Sequence, residues 1–171
     1  MRIFGALLIC MLVTGKMNAQ KKLKFDVDKT TGDTTWRTSE ERLYVKAGAK
    51  GSIAEYIKST VYKKDNFFML GFEIQTGRTS VFSIERDQSA TITLQNGEEI
   101  VVNSLQNQSS KASHMGYGSF IFAFYELTSN DIKLLKSSPV SSIRVHSSTG
   151  NMDYEIKEKF SEIIKDQVLK F

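Results

Sequence analysis

Apolar and polar residues alternate in short runs through most of the chain. From residue 22 to about residue 148 these runs are rich in β-branched and aromatic residues and are separated by turn-forming residues, which is typical of β-strands. The first two runs, residues 23–28 and 34–38, lie on either side of a turn that contains Gly32, and they predict a β-hairpin. Asn96-Gly97 predicts a second hairpin, because both residues tolerate the positive φ angles of a type I′ turn.

The middle of the chain predicts further antiparallel strands. Three runs, residues 56–62, 67–75 and 80–86, are separated by short turns and together predict a meander. Residues 120–127 are apolar at nearly every position. A run of this kind is typical of a strand that is buried on both faces, so we expect it at the centre of the sheet or beneath a helix.

Two helices are expected in the last third of the chain. Thr128-Ser129-Asn130-Asp131 resembles a capping box, and Pro139 marks the exit of the short helix that this box starts. From about Asp153 to Phe171 the apolar residues follow a helical period, which predicts a C-terminal amphipathic helix packed on the sheet. The predicted fold class is therefore α+β: mainly antiparallel β, sandwich-like or a partly closed barrel, with one short helix and this C-terminal helix.

The N-terminal segment, residues 1–19, has the pattern of a secretory signal peptide. Arg2 supplies a positive start, residues 3–13 form an apolar run, and Met17-Asn18-Ala19 suits signal peptidase. The apolar run is shorter than the roughly 20 residues that a membrane-spanning helix needs, so we expect no transmembrane segment in the mature chain. Cleavage after Ala19 leaves one domain, residues 20–171, in the periplasm, on the cell surface or secreted.

The cysteine content and the net charge exclude several kinds of site and partner. Cys10 is the only cysteine, and the bulky Leu8 and Ile9 before it favour cleavage over lipidation. The mature chain then has no cysteine, which excludes disulfides, thiolate metal sites and cysteine nucleophiles. Loss of Arg2 and Lys16 leaves 21 of the 23 basic residues against 19 acidic ones, a net charge near +2. We therefore expect no nucleic-acid partner, since nucleic-acid binding needs a concentrated basic face.

The sequence contains no recognisable catalytic or metal-binding motif. His114 and His146 lie apart, and neither is grouped with carboxylates at a metal-ligand spacing. Adjacent acids such as Glu98-Glu99 point to opposite faces of a strand. We expect no metal, no cofactor and no catalytic residue. A hydrolase that takes its acids from separate strands stays open as an alternative.

A binding role is the interpretation that the sequence favours. The polar loop of residues 103–119 is the best candidate surface, since long loops in compact domains often carry function. Within it we single out His114, Met115 and Tyr117, and we add the aromatic Trp36. The chain is expected to be an exported, non-catalytic module that binds a protein or a glycan of the cell envelope. An alternative is a carrier of small apolar ligands, with a cavity in the β-sheet core lined by Phe68, Phe72, Phe122 and Phe124.

Several of these features combine into a resemblance. The Ala19-Gln20 junction, the opening Phe25-Asp26-Val27-Asp28, the Asn96-Gly97 hairpin and the helix-strand unit of residues 127–144 together resemble small uncharacterised exported β-rich proteins of Bacteroidota-type Gram-negative bacteria. The resemblance implies a periplasmic or cell-surface location. It implies no activity, ligand or site residue.

Overall fold

The computed structural model describes residues 23–48, 53–77, 80–112 and 118–171. These residues form a seven-stranded sheet, a four-stranded sheet and a two-stranded ribbon, together with short helices. In chain order the elements are β1 (Lys24–Val27), β2 (Thr34–Arg37), β3 (Glu41–Ala47), β4 (Ile53–Lys64), β5 (Phe67–Thr76), β6 (Ser83–Ile84), β7 (Ser89–Leu94), β8 (Glu99–Asn103), β9 (Gln108–Ser109), β10 (Lys111–Ala112), β11 (Ser119–Leu127), α1 (Ser129–Ser137), β12 (Val140–Ser147), β13 (Gly150–Glu155), α2 (Glu158–Ser161) and α3 (Ile163–Val168). The predicted signal peptide and the candidate residues His114, Met115 and Tyr117 lie outside the described residues.

The large sheet is antiparallel and has the strand order β1-β2-β4-β5-β11-β10, with β3 also paired to β4. Its centre is the long hairpin of β4 and β5, whose register runs from Tyr56 opposite Gln75 to Lys64 opposite Phe67. Asp65, in the turn, has a φ of 53°. A left-handed residue at this point makes the turn tight, and the tight turn fixes which side chains of the two strands share a face.

The small sheet is also antiparallel, with the order β13-β12-β7-β8. Its β7–β8 hairpin confirms the turn predicted at Asn96-Gly97, but the type of turn differs. Only Gly97 has a positive φ, of 87°, whereas a type I′ turn needs positive φ at both central residues. The N–H of Gly97 donates to the carbonyl of Leu94 at 3.0 Å, and the N–H of Leu94 donates to the carbonyl of Glu98 at 2.8 Å.

The two sheets share one apolar core and meet along one side. Ser104, which follows β8, forms an isolated bridge with Tyr125 of β11. On the opposite side β3 and β13 approach each other through the rings of Tyr44 and Tyr154, whose centroids are 5.3 Å apart. The structure therefore confirms the predicted α+β class, as an antiparallel sandwich that is partly closed along the side of β8 and β11.

The core lies between the inner faces of the sheets. Alternate residues of β5 and β11 point into it from the large sheet, and alternate residues of β7, β8 and β12 point into it from the small one. Its fully buried members include Leu70, Phe72, Ile92, Leu94 and Ile143. Full burial of one such side chain stabilises the fold by roughly 1.5–3 kcal/mol, so this layer supplies the main driving force for folding.

The helical segments close the core at its end. The structure confirms the capping box of α1, in which the Thr128 hydroxyl accepts from the N–H of Asp131 and the Asp131 carboxylate accepts from the N–H of Thr128. In α3, Ile164 and Val168 are fully buried against the sheet. The buried Gln167 lies between them and bonds to β4 and to the corner before β3. The C-terminal segment is thus part of the domain.

The antiparallel pairing of the first two strands of the predicted meander is confirmed, as β4 with β5, but its third strand and the predicted burial of residues 120–127 are wrong. Within residues 80–86 only Ser83–Ile84 forms a strand, and it pairs with the distant Gln108–Ser109 and not with β5. Residues 120–127 belong to β11, whose side chains alternate between buried and exposed. One face of β11 therefore lies on the core and the other faces outward, where Phe122 is 46% exposed.

The predicted start of the C-terminal helix is also wrong. Gly150–Glu155 forms β13 and pairs with β12, so the helical segment begins only at Glu158. It is divided at Glu162 into two short helices, α2 and α3. The reason lies in the turn at Ser148-Thr149, between the paired residues Ser147 and Gly150. Gly150 has a φ of 105°, which favours glycine, and it returns the chain along β12 as a hairpin.

Candidate functional site

The outer face of the large sheet, which points away from the core, carries a row of aromatic side chains. Phe124 on β11 lies directly opposite Gly71 on β5, and its neighbours in sequence point inward. The row crosses β4, β5 and β11, and we call it the outer aromatic surface: Tyr62, Phe120, Phe122 and Phe124. Phe122 is 46% exposed and the other three are half-buried, so all four rings reach solvent.

Gly71 allows two of these rings to meet across β5. The rings of Tyr62 and Phe124 have centroids 5.7 Å apart and an interplanar angle of 68°. A Cβ atom at position 71 would lie 2.9 Å from Cε2 of Tyr62 and 3.3 Å from Cε1 of Phe124. Any larger residue would therefore push the rings apart. Glycine in the middle of a strand often marks such a close approach.

A network of polar side chains adjoins the outer aromatic surface on the same face. The ammonium of Lys58 lies 2.8 Å from Oε1 of Glu40 and 3.0 Å from Oε1 of Glu73. The hydroxyl of Tyr56 donates a short hydrogen bond to the Glu73 carboxylate. Glu73 in turn lies directly opposite Phe122 in the pairing of β5 with β11. The polar network, Glu40, Tyr56, Lys58 and Glu73, thus borders the aromatic row.

The interactions within the polar network keep the Glu73 carboxylate and the Lys58 ammonium charged. Burial raises the pKa of the Glu73 carboxyl, but its side-chain interactions with Tyr56, Glu40 and Lys58 together outweigh burial and hold that pKa below its ordinary value. Burial lowers the pKa of the Lys58 ammonium, but its hydrogen bonds to Glu40 and Glu73 raise the pKa overall. Burial, together with the neighbouring Glu73, raises the pKa of the Tyr56 hydroxyl. At neutral pH the site therefore presents a carboxylate, an ammonium and a neutral phenol.

Trp36, the described member of the predicted binding residues, lies elsewhere. It pairs with Lys63 of β4, which points to the face opposite to that of Tyr62. Its side chain is 41% exposed, and its ring centroid is 5.3 Å from that of Phe25. It lines a wide, shallow groove together with Lys63 and Phe171. The structure therefore does not bring Trp36 to the outer aromatic surface.

The four phenylalanines proposed to line a cavity lie on two different faces. Phe72 is buried in the core against Tyr125, and Phe68 packs on the ring of Phe171 on that same side of the sheet. Phe122 and Phe124 point outward. The four side chains therefore do not line one common cavity.

Sequence reasoning missed the polar network, although the signal was present. Tyr56, Lys58 and Tyr62 alternate along β4, so they share one face of that strand. Which residues of β5 share this face depends on the register across the turn at Asp65. A two-residue turn at that point places Glu73 beside Lys58. The isolated Gly71 in an otherwise bulky strand was a second signal for close packing over β5.

The described part of the chain contains no group of three or more His, Cys, Asp or Glu residues that is arranged to hold a metal ion. In the same residues no helix combines the length and the apolar character that a membrane crossing requires. Comparisons with protein-family models, with curated proteins and with solved structures found no match. The interpretation of the site therefore rests on its own geometry.

Proposed function

We propose that the protein is an exported, non-catalytic module that binds a glycan through the outer aromatic surface and the polar network. The observation that carries this proposal is the placement of the exposed Phe122 ring directly beside the hydrogen-bonded Glu73. A ligand that binds on this open face of the sheet therefore contacts an apolar ring and fixed charged groups at the same time.

This combination suits a sugar ring. The C–H groups on one side of a pyranose form an apolar face that packs against aromatic rings, and the hydroxyl groups at its rim need hydrogen-bond partners. The rings of Phe122 and Phe124 supply the first, and Lys58 and Glu73 supply the second. Because Lys58 is already held between two carboxylates, it loses little conformational entropy when a ligand binds.

The charged network favours a glycan over a protein partner. The buried centres of protein interfaces are depleted in charged residues, whereas here Lys58, Glu40 and Glu73 border the aromatic rings directly. The same network argues against a hydrolase that uses Glu73 as its acid. A general acid needs a raised pKa, and the pKa of Glu73 is lowered.

The test is isothermal titration calorimetry with four neutral oligosaccharides: cellohexaose, maltohexaose, xylohexaose and chitohexaose. We expect saturable binding to at least one of them. Phe122→Ala should weaken that binding about three- to tenfold, which corresponds to ~0.7–1.4 kcal/mol. Val101→Ala, which removes an exposed apolar side chain from the small sheet, should leave the affinity unchanged.

Two kinds of result would contradict the proposal. The first is the absence of saturable binding to any of the four sugars, or equal binding by the protein and its Phe122→Ala variant. The second is the appearance of shorter oligosaccharides after incubation with the protein, since a non-catalytic module releases no product.

A further inference from the structure

The first strand of the large sheet has an unusual exposure for an edge strand. All residues of β1 are exposed, and among them Phe25 is 59% and Val27 is 51% exposed. β1 forms one end of the sheet order, and among the described strands it pairs with β2 alone. β1 carries the charged Lys24 and Asp26 on one face and the exposed apolar Phe25 and Val27 on the other, and an edge strand with an exposed apolar face is a site at which another strand can pair.

The backbone of β1 indicates how a partner strand would pair. The N–H of Asp28 donates to the carbonyl of Asp33 across the hairpin. Because backbone groups alternate along an antiparallel strand, Lys24 and Asp26 also point their N–H and C=O groups towards β2. Phe25 and Val27 therefore point theirs towards the free edge of the sheet.

The sequence of this edge is complementary to itself. Leu23, Phe25 and Val27 alternate with the oppositely charged Lys24 and Asp26. If two copies pair antiparallel about Phe25, then Phe25 meets Phe25 of the second copy and Leu23 meets Val27. On the other face, Lys24 of each copy lies opposite Asp26 of the other. A register shifted to centre on Lys24 or on Asp26 places like charges opposite each other, which is unfavourable.

From this geometry we propose that β1 is the interface of a symmetric dimer, in which the β1 strands of two copies pair antiparallel about Phe25 and join the two large sheets. The interface is isologous, as expected for a two-fold dimer. It lies on the strand at the end of the sheet and leaves the outer aromatic surface of both copies open. The proposal is independent of the glycan-binding function.

Reversal of the charge at Lys24 or at Asp26 gives the most specific test of the proposed dimer. With Lys24→Glu, the acidic residue at position 24 of each copy lies opposite Asp26 of the other copy. With Asp26→Lys, the basic residue at position 26 of each copy lies opposite Lys24 of the other copy. Sedimentation velocity from micromolar to millimolar concentration should show a dimer for the protein and a dissociation constant raised about tenfold or more for each variant. An equimolar mixture of the two variants restores both opposite-charge pairs and should associate again.

Trp36 supplies an independent signal, because it is the only tryptophan and lies beside Phe25. Its fluorescence should shift to shorter wavelength as the protein dimerises, and the circular dichroism spectrum of each variant should match that of the protein, which checks that the fold is retained. Lys111→Glu, the same charge change on the other edge strand of the sheet, should leave the association unchanged. The proposal is overturned if the protein stays monomeric at millimolar concentration, if the two variants associate as the protein does, or if their mixture fails to restore the dimer.

Discussion

Replacement of Gln167 by alanine is expected to weaken the attachment of the C-terminal helix to the sheet and so to lower the stability of the fold. The side chain is only 1% exposed and makes three hydrogen bonds. Its Nε2 donates to the carbonyls of Ser39 and Ser59, each at 3.0 Å, and its Oε1 accepts from the hydroxyl of Ser59 at 2.8 Å. One amide thus joins α3 to β4 and to the corner before β3, two points that are distant from it in sequence.

The magnitude follows from these three bonds. A hydrogen bond of this kind contributes about 1 kcal/mol net, so Gln167→Ala should lower the free energy of unfolding by about 3 kcal/mol. The higher helix propensity of alanine offsets only about 0.5 kcal/mol of this loss. A domain of this size has a free energy of unfolding of roughly 5–15 kcal/mol, so the variant stays folded. Its Tm should fall by about 6–12 °C.

Thermal and urea denaturation followed by circular dichroism measure this change. Asp166→Ala, at the exposed position next to Gln167 on the same helix, is the matched control and should change stability by less than about 0.5 kcal/mol. Ser59→Ala should cost about 1 kcal/mol. Because Ser59 and Gln167 share a hydrogen bond, the double variant should lose about 1 kcal/mol less than the sum of the two single changes.

The reasoning is refuted if Gln167→Ala is as stable as the control, or if the losses of the two single variants add without any coupling. Either result would mean that the C-terminal helix is held by its apolar face alone and that the amide contributes nothing specific.

Two further predictions concern the polar network and the mature N-terminus. Glu73→Gln should cost about 1–2 kcal/mol at neutral pH. The folded protein lowers the pKa of Glu73, so its contribution is present above the ordinary carboxyl pKa of 4.5 and is lost as the pH falls through the lowered value. Urea titrations at a series of pH values should therefore show the two proteins converging in acid, and a constant difference at every pH would contradict this. Expression in a Gram-negative host should yield a periplasmic protein that begins at Gln20 by mass spectrometry. A chain that retains Met1, or that carries a lipid on Cys10, would contradict the predicted export signal.

The elements that the sequence predicted well are those set by local signals. The β7–β8 hairpin follows from Asn96-Gly97, and α1 follows from the capping box at Thr128. The errors concern partners that are distant in the chain. Ser83–Ile84 looked like the next strand of a meander, yet it pairs with Gln108–Ser109, and no local pattern specifies that partner.

The candidate site could not be predicted from the sequence, because it also depends on contacts between distant parts of the chain. Apolar residues such as Phe122 and Phe124 indicate a buried strand by composition, but composition does not distinguish an aromatic side chain in the core from one on an open face. The polar network needs the register of β4 against β5, which the turn at Asp65 fixes. Once that register is known, the alternation of side chains along each strand predicts that Lys58 and Glu73 meet.

The central claim, that the outer aromatic surface binds a glycan, is tested most directly by NMR of the protein with ¹³C-labelled phenylalanine rings. During titration with the oligosaccharide that binds most tightly, we expect the ring signals of Phe122 and Phe124 to shift in proportion to saturation. The signals of Phe72 in the core and of Phe25 on β1 should stay in place. Shifts confined to Phe25 on β1, or to Phe171 in the groove beside Trp36, would place the ligand away from the outer aromatic surface and contradict the account.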